Sequence, residues 1–182
     1  MIELLRSAYV DFYRLDYDEL FCILAVASVC FLSVHSKQGN KRWWNVFAAA
    51  ALLVWTVAVV YCTVSSREGG SAYQYNLIPF HSYREILNGG NPELYRSNLM
   101  NAVLFYPNGL LTVAILPRKW PAWAKVLLVA VIFCGISVGV EYMQYTYSLG
   151  RCEIDDVIHN TLGALAGASA AEIWFAVKTK KT

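Results

Sequence analysis

The sequence predicts an all-α fold: a multi-spanning transmembrane helical bundle of about five spans, with a short interfacial helix on its outer side. Three observations lead there. Hydrophobic side chains make up 57% of the 182 residues, and they come in long blocks instead of the spacing of a soluble core. Five blocks, at 20–34, 43–65, 94–116, 122–145 and 157–177, mostly approach the ~20 residues that a helix needs to cross ~30 Å of hydrocarbon. The lysines all fall on alternate connections of this pattern, as a polytopic membrane chain requires.

Residues 1–19 form an outer N-terminal segment. Leu5, Tyr9 and Phe12 have helical spacing that suits a short helix lying on the membrane surface, and a disordered terminus is the other reading. The first block is the shortest. Asp11, Asp16, Asp18 and Glu19 precede it where a cleaved signal peptide would carry positive charge, so it is read as a span. Spans one and two occupy 20–65, a three-span region follows at 66–177, and 178–182 is a basic tail.

Lys37 and Lys41 lie between spans one and two, Lys119 and Lys125 between three and four, and Lys178, Lys180 and Lys181 after span five. Lysine and arginine in short loops are retained in the cytoplasm, so the chain is expected N-out and C-in across a cytoplasmic membrane. Acidic residues Glu68, Glu85, Glu93, Glu153, Asp155 and Asp156 fall in the opposite connections. Trp43, Trp44, Trp120, Trp123 and Trp174 mark the inner interface, and Tyr61, Tyr95, Tyr142, Tyr145 and Tyr147 the outer one. A net charge of +2 singles out no partner, and no nucleic acid is expected. The cysteines lack ligand-like or framework spacing, and packing is their expected role; Cys152, in an outer loop, has Cys62 or Cys22 as the alternative disulfide partner in an oxidising compartment.

The connection at 66–93 is too long for a tight turn and too polar and Gly-rich to span, so it folds over the bundle. Within it, Ser82 and Glu85 have capping-box spacing for a short helix through Leu87, and Asn88-Gly89-Gly90 ends one. Asn91-Pro92 then starts span three as N-cap and first helical residue. Span three carries Asn98, Asn101 and Tyr106-Pro107-Asn108-Gly109. Pro107 removes a backbone donor, so a kinked or broken helix follows, either packed inside the bundle or lining a polar cavity.

Span four ends in Glu141-Tyr142-Met143-Gln144, with Glu141 and Gln144 on one face. Ionisable groups at membrane depth are functional candidates by default, while pairing of Glu141 with Arg151 would be purely structural. In span five, Asp156, Asn160, Gly163 and Gly167 fall near one stripe. Gly135-x-x-x-Gly139 and Gly163-x-x-x-Gly167 are expected to let spans four and five approach closely, bringing Glu141 and Gln144 toward Asp156 and Asn160.

Asn76-Leu77-Ile78-Pro79-Phe80, Asn98, Asn101, Phe105-Tyr106-Pro107-Asn108-Gly109, Glu141-x-x-Gln144, and Arg151 through Asp155-Asp156, Asn160, Gly163 and Gly167 together make an ordered pattern. It resembles the VanZ-like membrane proteins and covers about half the chain, from Asn76 to Gly167. The resemblance implies a small multi-pass bacterial protein, of a named type associated with low-level teicoplanin resistance, and implies no established reaction.

Three functional readings follow. In the first, Arg84, Arg96 and Arg151 meet phosphate or carboxylate groups while Glu141, Asp155 and Asp156 orient them or meet amines, with Gln144, Asn160, Asn98 and Asn101 alongside. Lipid head groups, cell-wall precursors and the lipoglycopeptide itself are the expected partners, and no cofactor or metal is expected. In the second, the chain is an enzyme acting on a lipid or glycan at the outer leaflet, with Glu141 or Asp156 as acid or base and His81 or His159 assisting. The third, transport, draws on a helix break at Pro107–Gly109.

Overall fold

The computed structural model describes residues 16–38, 41–65 and 74–179. The interfacial helix expected within 1–19 lies largely outside them, as do Lys180 and Lys181. The elements are α1 (Tyr17–Gln38), α2 (Arg42–Ser65), β1 (Gln74–Asn76), α3 (His81–Leu87), α4 (Glu93–Ile115), α5 (Ala122–Thr146), β2 (Arg151–Glu153) and α6 (Ile154–Thr179). Five long helices at the expected places confirm the all-α class. Four of them, α1, α2, α4 and α5, are long and apolar enough to cross a membrane. The last, α6, has 26 residues, ~39 Å of helix, yet is not among those four.

Its composition follows from its position. α4 and α6 form the axis of the bundle, with 67% of the α4 span buried against 17% of those of α1 and α2. A helix surrounded by protein needs small residues more than greasy ones, and Ala164, Ala168 and Ala171 of α6 are fully buried. They join Leu32, Val59, Leu104, Phe105, Val129 and Phe133 in a core drawn from all five long helices. Val26, Val29, Leu53, Val54, Val131 and Ile173 face outward, the surface that hydrocarbon would cover.

The axis depends on glycine. A methyl group on Gly163 would overlap the carbonyl of Ala102, one on Gly167 that of Tyr106, and one on Gly109 that of Ala164. Gly163 and Gly167 therefore bring α6 against α4, not against α5 as their spacing suggested. A methyl group on Gly135 or Gly139 would meet nothing within 4 Å. A GxxxG pattern shows that a close approach is available and says nothing about which neighbour takes it.

Three further expectations are corrected. Pro107 lies inside an unbroken α4, where Trp55 Nε1 donates to Leu104 O at 3.0 Å and Thr56 Oγ1 to Asn108 Oδ1 at 2.8 Å; the unwound segment behind the transport reading is absent. Lys125 is no loop residue: it is buried, with Nζ 2.5 Å from Glu172 Oε1. All five cysteines are free thiols.

Candidate functional site

The described part of the connection, 74–93, does fold over one end of the bundle. It does so through a feature absent from the sequence reading: β1 pairs in parallel with β2, Tyr75 opposite Cys152 and Asn76 opposite Glu153. Three-residue strands carry no recognisable alternation, so only the pairing reveals them. Asn76 Oδ1 then accepts the Ile78 N–H at 3.2 Å, closing an Asx turn at the start of the Leu77–Phe80 segment. At Phe80 the backbone is left-handed, φ 59°.

Ser82 and Glu85 do not cap α3, whose first helical residue is His81. The cap comes from a residue 73 positions away in the sequence. Asp155 accepts the Phe80 N–H at 2.5 Å, the Ser82 N–H at 2.8 Å and the Ser82 hydroxyl at 2.5 Å. Helix first turns leave N–H groups without intrahelical acceptors, and a carboxylate satisfies both need and dipole. The end of α3 is as expected: Gly89 N–H donates to Ile86 O and Gly90 N–H to Glu85 O, with Gly89 at φ 80°, a Schellman motif. At the start of α4, Pro92 already has helical dihedrals and Asn91 Oδ1 accepts the Glu93 N–H at 3.0 Å.

Ser82 passes the network inward. Asn98 Nδ2 donates to Ser82 Oγ at 2.8 Å. Tyr83 Oη lies 2.8 Å from His159 Nε2, and His159 Nδ1 lies 2.6 Å from Asp155 O. A carbonyl only accepts, so Nδ1 carries a proton and, in the neutral ring, Nε2 accepts from Tyr83. Burial pushes the Tyr83 phenol up; the Asn98 amide opposes this, while the fields of Tyr95 and Asp155 add to it. Tyr83 and His159 were not placed together by the sequence, since their spacing encodes no contact.

The other two carboxylates hold other elements. Asp156 Oδ1 accepts from Asn101 Nδ2 of α4 at 2.7 Å. Glu141 Oε2, near the end of α5, accepts the Glu153 N–H of β2 at 2.8 Å. Asn160 leaves the stripe it shares with Asp156: its Nδ2 donates to Ser137 Oγ of α5 at 2.8 Å. Gln144 Nε2 donates to Thr63 O of α2 at 3.2 Å. Asp155, Asp156, Glu141, Gln144, Asn160 and Asn98 are all at least 95% buried.

Two acceptors in this shell have no partner among the described residues, Gln144 Oε1 and Asn160 Oδ1. Arg84 and Arg151 are exposed, and Arg96 is half-buried. Arg151 Nη1 lies 3.4 Å from Glu153 Oε1. A small cleft lined by Asn76, His81, Ser82, Glu85, Leu94, Glu153 and Asp155 has room for about one water. His81 sits on its rim, 3.7 Å from Glu85. Within β2, burial raises the Cys152 thiol above its ordinary value, and the charges of Glu141, Asp156 and Glu153 raise it further. Among the described residues no His, Cys, Asp and Glu are grouped as metal ligands.

Compared with known families, residues 20–175 match the family model described as VanZ/LLP1. No curated protein and no solved structure matches the chain.

Proposed function

The chain belongs to the VanZ/LLP1 family and is a membrane protein, and on that premise we propose that it binds an amphiphile's head group at the end of the bundle carrying β1, β2 and α3. The lysine distribution supports an outer position for this end, where envelope lipids, wall precursors and lipoglycopeptides are met, and in this reading binding there contributes to glycopeptide resistance, teicoplanin being the drug of the family's named type. One observation carries the reading. Beneath the exposed Arg84 and Arg151 lie three buried carboxylates and two buried amide oxygens without a partner among the described residues, Gln144 Oε1 and Asn160 Oδ1.

Such an arrangement suits a ligand with amine, amide or hydroxyl donors beside a phosphate or carboxylate. Arginine meets the anion with paired donors, and unpaired buried acceptors favour the donors. Native mass spectrometry of the purified full chain tests this. Wild type is expected to retain a head-group-bearing lipid or added teicoplanin, and the Arg84→Ala/Arg151→Ala variant to retain less. Equal retention in both, or none in wild type, refutes it.

A second reading, an enzyme modifying a lipid or glycan, is favoured by the Tyr83–His159 pair, whose imidazole is oriented by the main-chain carbonyl of Asp155. It predicts an altered lipid or precursor profile in expressing cells that His159→Gln abolishes. An unchanged profile removes it.

A further inference from the structure

We propose that α3 and the turn before it are a membrane-interface anchor, which seats Leu77, Ile78, Phe80 and Leu87 among the acyl chains of the adjacent leaflet and Arg84 among its phosphates. The inference goes beyond the head-group reading, since it concerns the outward side of α3 and holds whether or not a ligand is bound beneath; Arg84 is common to both.

The depth of α3 follows from what holds it. Ser82 Oγ accepts from Asn98 Nδ2 of α4 at 2.8 Å, and Ser82 in turn donates to Asp155 in the first turn of α6. α4 is a span of 23 residues, ~35 Å of helix against ~30 Å of hydrocarbon. Asn98 lies ~8 Å along α4 from Glu93, more than the ~5 Å by which the helix exceeds the hydrocarbon. The start of α3 is therefore level with the edge of the acyl chains at that end of the bundle. Its other end stays close to the start of α4, because only residues 88–92 join them and the Schellman motif folds these back.

At that depth the side of α3 away from the bundle is apolar around one cation. Phe80, Arg84 and Leu87 stand at i, i+4 and i+7, one helix face, and all three are exposed, Leu87 at 84%, the largest value for any large hydrophobic residue among those described. Leu77 and Ile78, in the turn that the Asn76 side chain closes, are exposed as well. Ser82, the buried residue of α3, lies on the far side of the helix from Arg84. A cation between apolar residues on one face marks a helix lying in the interface, where the arginine stem crosses the acyl boundary and its head reaches phosphate. Arg84 makes no ion pair among the described residues, so its guanidinium is open to that contact. A symmetric contact of two copies centred on this face would bring one Arg84 toward the other, and like charges oppose it. Phospholipid supplies both the acyl chains and the anion.

The test replaces Phe80, Leu87 or, as the span reference, the 68% exposed Val54 with the photo-crosslinker p-benzoylphenylalanine. The full chain is irradiated in vesicles of equal parts phosphatidylglycerol and phosphatidylethanolamine, and lipid adducts are read by mass spectrometry. Yields at 80 and 87 are expected within about three-fold of that at 54, as for side chains set in the acyl boundary. At 87, phosphatidylglycerol adducts should exceed phosphatidylethanolamine ones about two- to five-fold, the selectivity that one cation at the membrane surface supports, and Arg84→Gln should equalise them. Yields at both positions below about a tenth of that at 54 overturn the anchor, since water then covers the face. A crosslinked dimer in place of the lipid adduct overturns it too, since the cover is then a second copy. A wild-type chain without head-group preference, or a preference kept in Arg84→Gln, overturns the part given to Arg84. The head-group reading fails separately. Lipid adducts at 80 and 87 with retention indifferent to Arg84 and Arg151 refute that reading alone. Arginine-dependent retention without adducts at 80 and 87 refutes the anchor alone.

Discussion

Asp155→Ala removes the acceptor of three donors at once, the Phe80 and Ser82 N–H groups and the Ser82 hydroxyl. Hydrogen bonds to a charged group contribute about 1.5–3 kcal/mol each, and the loss of an ordinary N-cap costs ~1 kcal/mol. The three share one carboxylate, and Phe80 is half exposed and regains water, so they do not add; removing a buried charge also returns desolvation energy. About 3 kcal/mol remains, nearly all of it local to α3, which at seven residues is too short to persist without its cap. Hydrogen exchange of the full chain in nanodiscs should then show residues 80–87 exchanging roughly 100-fold faster, with α5 unaffected. Asp156→Asn, which touches Asn101 of α4, should leave α3 protected and serves as the control. Unchanged protection of 80–87 in Asp155→Ala, or equal loss in both variants, would refute the assignment of Asp155 as the cap.

Three other outcomes follow from the packing. Gly163→Val and Gly167→Val drive a side chain into the α4 backbone and should cost about 3 kcal/mol or prevent folding, beyond the ~1–3 kcal/mol of ordinary overpacking, whereas Gly139→Val should shift the melting temperature little; similar shifts at all three would mean α4 and α6 are not so closely packed. Lys125→Met strands Glu172 and should cost about 3–5 kcal/mol, with most of it recovered in Lys125→Met/Glu172→Leu; a double variant no more stable than the single one would show that the ion pair is not the cause. Because the Cys152 thiol titrates above its ordinary value, it holds less thiolate than a free thiol at any pH below its pKa. Iodoacetamide should therefore label it slowly at pH 8 and faster in Glu141→Gln, and equal rates in the two would remove the electrostatic part of that account.

What the sequence made legible was what depends on local chemistry. Block length and hydropathy gave the five long helices, Asn91-Pro92 the start of α4, Asn88-Gly89-Gly90 the end of α3, and the lysine pattern the sidedness proposed for the site. What it hid depends on partners distant along the chain. Ser82 and Glu85 satisfy the capping-box spacing, yet Asp155 supplies a stronger acceptor, so the box is not used. Two GxxxG patterns look alike in sequence, but one is pressed against α4 and the other faces open space. Pro107 looks like a break, but Trp55 and Thr56 bond the α4 groups beside it, and the helix continues. Lys125 reads as a loop cation until Glu172, 47 residues on, meets it.

The same long-range bonds decide how a functional test must be built. Asp155 holds α3, Asp156 holds α4 through Asn101, and Glu141 holds β2 through the Glu153 N–H. Asp155 and Asp156 join elements far apart in the chain and Glu141 ties β2 back onto α5, so substituting any one disturbs the fold of the site as well as its chemistry. Loss of a resistance phenotype at Glu141, Asp155 or Asp156 would thus be expected from a binding protein and from one whose site had merely come apart. Arg84 and Arg151 are different. Both are exposed, and surface charges of this kind contribute little to stability, typically ~0–1 kcal/mol. A phenotype lost in Arg84→Ala and Arg151→Ala at unchanged melting temperature and expression would therefore report ligand recognition. A phenotype lost only at the three carboxylates, in step with the fall in melting temperature, would assign them to the architecture and leave the head-group reading without support.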